Sequence, residues 1–261
     1  MPILTTSATR LLEVVSSIKS IDNQMLLRPG LPAWAKVFEV EPSDINGLYR
    51  KLAMTGNLPS EVSTDFRNLP EIDHDLHLSW VANATAALNP TDINAQLKRA
   101  ADTFNSEVVN LIRICESHLI RHSPEEAIDV DEMATLRASA TSLADDVLAD
   151  EELSSDLKQY ILHHTHLVIQ AIDDYGLQGA SAILNGVDAT IGAMVRQKAS
   201  AKRTQETPYG ERLQDTLKAF VVVVAAWKGA KEIGGDFGDI LKTGASILQL
   251  DDEGQTDASA E

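Results

Sequence analysis

The chain has 261 residues, of which 44% are hydrophobic and 23% charged, and a formal net charge of −17. That length suffices for one large domain, or one domain with an appendage, and such an acidic chain repels nucleic-acid phosphate, so nucleic acid is not an expected partner. The lone Cys115 excludes an internal disulfide framework and a cysteine-rich zinc module, and it fits a reducing compartment.

Helical spacing runs through most of the sequence. Leu11, Val14, Val15 and Ile18 follow the i, i+3, i+4, i+7 pattern of an amphipathic helix, and Arg28-Pro29-Gly30 forms the turn that ends this region. Trp34, Val37 and Phe38 predict a short helix. Ser43 is the expected N-cap of the next one, with Ile45, Leu48, Tyr49 and Leu52 on one face. Pro59-Ser60 suggests a further start, with Val62 and Phe66 one turn apart. Beyond Pro70, the residues Leu76, Trp80, Ala84 and Leu88 form an i, i+4 stripe that Asn89-Pro90 stops.

Thr91 or Asp92 is expected to cap a short segment reaching Leu97. Asp102 to His122 is predicted as one long helix with Phe104, Val108, Leu111, Ile112, Cys115 and Leu119 inward, closed by Ser123-Pro124. Asp131 to Leu148 follows, with Met133, Leu136, Leu143 and Val147 inside. After the acidic joint Asp150 to Glu152, Ser154 or Ser155 caps a strong helix carrying Leu157, Ile161, Val168, Ile169 and Ile172, and Gly176 is its expected stop. A last body helix spans about 179–196 through Ile183, Val187, Ile191, Met194 and Val195. Alternating β-branched stretches are missing and aromatics are only 5%, which weighs against a sheet protein. The fold class expected is all-α: a bundle of about 8–10 helices.

The charge changes sign towards the C-terminal end. Residues 1–195 hold 28 acids and 13 bases, whereas residues 196–231 hold eight bases against three acids. The expected organisation is an acidic helical body over 1–196, a polar basic linker over 197–208, an apolar helical segment over 209–250 and a disordered acidic tail over 251–261. Two sub-bundles within the body would meet near 123–130. The segment 209–250 contains Leu213, Leu217, Phe220, four consecutive valines and Trp227. Ile233, Phe237, Ile240, Leu241, Ile247, Leu248 and Leu250 follow, punctuated by glycines. Four valines in a row are poor helix formers in isolation, and a helix apolar on all sides wants a covering surface. That surface is the protein's own body, another protein or a second copy, or an anionic membrane.

Met1 to Arg10 lack the basic, then apolar, then small-residue order of a signal peptide. The longest apolar run, Ala219 to Trp227, is far shorter than the roughly 20 residues of a membrane span. The expected compartment is the cytoplasm.

Candidate chemistry is sparse. His118 and His122 share one helical face, with Cys115 one turn earlier; His163 and His166 share another, beside His164. Were the two faces to meet, His118, His122, His163 and His166 could hold zinc. His74, Asp75 and His77 make a second small cluster. Cys115 with His118 is a conceivable nucleophile and base, but its neighbours Ile112 and Leu119 suggest an inert core thiol. The adjacent carboxylates Asp145-Asp146 and Asp173-Asp174 do not face each other on a helix. No common phosphate-binding loop or nucleophile-elbow motif is present. The sequence therefore assigns no catalytic, cofactor-binding or metal residue, and no cofactor. The expected function is non-enzymatic: an interaction, scaffold or regulatory protein docking a partner through 209–250. The alternatives are a membrane-associating effector using the same segment, and a metal-dependent enzyme using the histidines.

Overall fold

The computed structural model describes residues 4–70, 72–89 and 93–228. The part of the apolar segment beyond 228, and the acidic tail, lie outside these residues, as do Thr91 and Asp92. The described chain is all-α apart from one two-stranded ribbon. It divides into two compact units: residues 1–127 with 176–179, and residues 128–175 with 180–261.

The first unit opens with β1 (Leu4–Thr5), followed by α1 (Ser7–Ser20), α2 (Asn23–Leu26), α3 (Gly30–Val37) and α4 (Ile45–Arg67). It continues through α5 (His74–His77), α6 (Val81–Leu88), α7 (Lys98–Thr103), α8 (Ser106–His122) and β2 (Glu125–Glu126). α4 is the axis on which α1, α6 and α8 pack. The core gathers Leu11, Ile18, Trp34, Leu48, Leu58, Phe66, Phe104 and Ile112, all but closed to solvent. β1 and β2 pair antiparallel, Thr5 opposite Glu125.

Three boundaries differ from the sequence expectation, each for a local reason. Pro59 starts no helix but sits inside α4. A proline there has no N–H for the Thr55 carbonyl, yet Leu52, Leu58, Val62 and Phe66 are all buried along α4, and that burial outweighs the lost bond. The entry cap is Asp44 rather than Ser43, its carboxylate accepting the Gly47 N–H at 2.9 Å. The helix expected over 102–122 is two, because Asn105 caps α8 by accepting the Val108 N–H at 3.0 Å while fully buried Phe104 turns the chain inward.

Arg10 ties the ribbon to the helices. Its side chain is buried, and it donates to Glu125 at 2.8 Å with Glu61 at 3.8 Å. Burial raises the Glu61 pKa above the ordinary carboxylate value; Arg10 opposes this, and Asp65 and Glu125 add to it. A raised carboxylate pKa means the fold holds the proton more tightly than the unfolded chain does. Its stability contribution is therefore full below the unfolded pKa and lost as pH rises through the folded one. Glu61→Gln should raise the melting temperature at neutral pH, and the gain should vanish on acidification through the carboxylate range. Melting curves of both proteins across that range check this.

The second unit contains α9 (Val130–Ala149), most of α10 (Ser155–Gln178), α11 (Ala180–Arg196), α12 (Lys198–Gln205) and α13 (Gly210–Lys228). Gly176 does not stop α10. The helix runs on to Gln178, and Gly179, at φ +61°, takes the left-handed conformation that favours glycine. Two apolar clusters form the core. One gathers Met133, Leu136, Ala140, Val168, Ile183, Val187, Phe220, Val221 and Val223; the other gathers Leu143, Val147, Tyr160, Ile161, Ala201 and Leu213. Tyr209 donates to Asp150 at 2.8 Å, and Arg212 donates to Asp146 at 2.8 Å, fastening the start of α13 to the far end of α9.

The stretch 197–208 differs from a solvated linker. Most of it is α12, because Ala201 and Thr204 bury one face while Lys202 and Arg203 keep the other in water. Among the described residues no helix is long and apolar enough to cross a membrane.

Candidate functional site

The histidines fall into different units. His118 and His122 lie on α8 of the first unit, and His163 and His166 on α10 of the second. No group of three or more His, Cys, Asp or Glu side chains that could hold a metal ion forms among the described residues.

In the first unit the structure joins two clusters that the sequence kept apart. Asp73 caps α5 by accepting the Leu76 N–H at 3.2 Å, and α5 lies against α8. This sets His74, His77 and His118 edge-on around the buried Phe66 ring, with centroids 5.9, 5.8 and 5.9 Å away. The His77 and His118 rings are 6.4 Å apart. His74 Nε2 meets the Leu69 carbonyl at 3.1 Å, whereas His77 Nδ1 is buried with no hydrogen-bond partner. Desolvation, then Arg121 and the neighbouring histidines, lower the His118 pKa below its ordinary value.

The chemistry of this cluster is limited. Cys115 is fully buried and its thiol donates weakly to the His77 carbonyl at 3.8 Å. Burial pushes that thiol up to about 11, away from the thiolate a nucleophile needs. The group packs as an aromatic core with polar edges. Sequence spacing alone could not find it, because Phe66, His77 and His118 sit on three helices far apart in the chain.

On α10, His164 points inward. It is fully buried, with Nδ1 2.8 Å from the Tyr160 carbonyl and its ring 4.3 Å from the Tyr160 ring. Desolvation lowers its pKa, against the Tyr160 carbonyl, which raises it. His163 and His166 face solvent. Asp145 and Asp146 are not paired with each other, since Asp146 takes Arg212. Asp173 likewise takes Arg137, at 2.7 Å.

The described part of the apolar segment is divided. Leu213, Phe220, Val221 and Val223 are buried in the second unit, while Val222 between them is 63% exposed. The Phe220 ring fits because Gly186 lacks a Cβ, which would stand 3.1 Å from it. Leu213, Phe220, Val221 and Val223 are thus core. Residues 229–250, with Ile233, Phe237, Ile240, Leu241, Ile247, Leu248 and Leu250, lie outside the described residues.

The chain matches no family model, no curated protein and no solved structure.

Proposed function

We propose that this is a non-enzymatic helical interaction protein, and that its apolar C-terminal segment 209–250 docks a second protein surface through the portion following α13. The supporting observation is the division of that segment. Among the described side chains of the segment, Leu213, Phe220, Val221 and Val223 are buried in the second unit, whereas Val222 is 63% exposed. The sequence of the segment adds seven large apolar residues from Ile233 to Leu250.

The charge pattern favours an acidic partner surface. Exposed Lys202 and Arg203, with Lys228 and Lys231 in the sequence, complement such a surface. The body of a second copy, with 28 acids against 13 bases over residues 1–195, is one. The buried, unactivated Cys115 supports the non-enzymatic side of the reading.

The test compares the full chain with one ending at Lys228, a cut that leaves every described core residue in place. The full chain should gain mass with concentration in light scattering, while the shortened chain stays monomeric and melts at the same temperature. Two monomers, with the shortened one melting lower, would overturn the reading and make the segment core.

A further inference from the structure

Two of the stretches of this chain that contain no acidic residue contribute to one cleft of the second unit. One runs from Leu157 to Ile172 on α10, between Asp156 and Asp173; the other runs from Ala189 to Gln205, between Asp188 and Glu206. The fold brings the two stretches together in the second unit. They form the walls of an open cleft of about 730 Å³, whose lining includes Lys158, His163 and His166 from α10, with Gln197 and Ser200 from the α11–α12 joint.

These walls present hydrogen-bond donors. Lys158 offers an ammonium group, His163 and His166 offer solvent-facing imidazoles, and Gln197 and Ser200 offer an amide and a hydroxyl. Two helix N-termini also border the cleft. Ser155, Asp156 and Lys158 belong to the first turn of α10, and Gln197 is the N-cap of α12 without a side-chain cap of its own. Both ends favour negative charge. Asp156 alone among the lining residues is acidic, and it stands at the α10 end. On the adjoining α12, Lys202 and Arg203 are exposed and add positive potential.

We infer that this cleft binds a phosphomonoester group, held by Lys158, His163 and His166 and steadied by Gln197 and Ser200. A tetrahedral dianion accepts from several directions at once, which suits donors arriving from two walls. The net charge of −17 opposes any anion at long range, but salt screens that repulsion beyond about 10 Å. The local donors therefore decide. The site is separate from the docking segment, and either can fail without the other. The phosphomonoester could come from a small soluble molecule or from a lipid headgroup.

The test uses the full chain and follows the imidazole NMR signals of His163 and His166. Inorganic phosphate should shift both signals together and saturably, with half-saturation on the order of 1 mM, and chloride at equal ionic strength should not. The variant Lys158→Gln/His166→Gln changes two side chains outside the apolar clusters and should melt like the parent. In it the remaining His163 response should weaken at least about tenfold. Flotation with phosphatidic acid vesicles identifies the source: vesicle binding lost in the variant assigns a lipid headgroup, and a phosphate response without flotation assigns a soluble ligand. A response that does not saturate, that chloride reproduces, or that survives in a folded variant would overturn the inference.

Discussion

Replacing Phe220 with alanine should destabilise the second unit by about 3–5 kcal/mol. The ring is 1% exposed and packs among Met133, Val168, Ile183 and Val187, filling the space that Gly186 leaves open. Truncation removes that buried area and leaves a cavity that rigid helices refill poorly. Two positions on, Val222 is the control, since its side chain is mostly in water. Val222→Ala should stay within about 0.5 kcal/mol of the parent. Amide hydrogen exchange resolved by peptide distinguishes them: protection across α9, α11 and α13 should drop in the first variant and hold in the second. Equal effects would mean that α13 is not seated as described.

Phe66→Ala should cost the first unit a similar amount, about 3–5 kcal/mol. Phe66 is fully buried where α4, α5 and α8 converge, and three imidazoles meet its ring. The diagnostic result is spectroscopic. The imidazole signals of His74, His77 and His118 should move together as the ring current disappears, while those of His163 and His166 in the other unit stay fixed. Phe66→Leu restores most of the volume but not the ring, so it should recover stability and leave the three signals displaced. Recovery of the signals by leucine would contradict the ring-centred arrangement.

The all-α class was legible in the sequence because it rests on periodicity, which burial enforces residue by residue. Leu11, Val14, Val15 and Ile18 are spaced for one face and share the core of the first unit. What periodicity could not give were the boundaries that tertiary packing decides. Pro59 breaks a local rule, but the buried neighbours along α4 hold the helix through it. Gly176 is the stop that composition suggests, with the next helix beginning near Gly179, but it is Gly179 that takes the φ of +61° ending α10. Lys198–Gln205 looked solvated because its lysines, arginine and glutamine dominate the composition, whereas the burial of Ala201 and Thr204 is set by partners elsewhere in the chain.

The candidate sites were less legible still. His74 and His77 were visible as one local group and His118 as another, but their meeting at Phe66 depends on three helices converging. The four-histidine metal arrangement needed two helix faces to meet, and among the described residues no group of three or more possible ligands forms. The cleft on α10 left no distinctive trace in the sequence, because acid-free stretches of similar length recur elsewhere, as over 23–38 and 45–60, and only the fold shows which of them share a cleft. Phe220 carried an ambiguous signal, since an apolar run flanked by lysines suits a core as well as a docking surface.

The proposed docking role of the segment beyond α13 separates it from Leu213, Phe220, Val221 and Val223, which are core of the second unit. Mass and melting temperature of the full chain and of the chain ending at Lys228, measured side by side across concentration, test it most directly. The cut is expected to abolish association and leave the melting temperature unchanged. A cut that lowers the melting temperature and leaves the mass unchanged would contradict it.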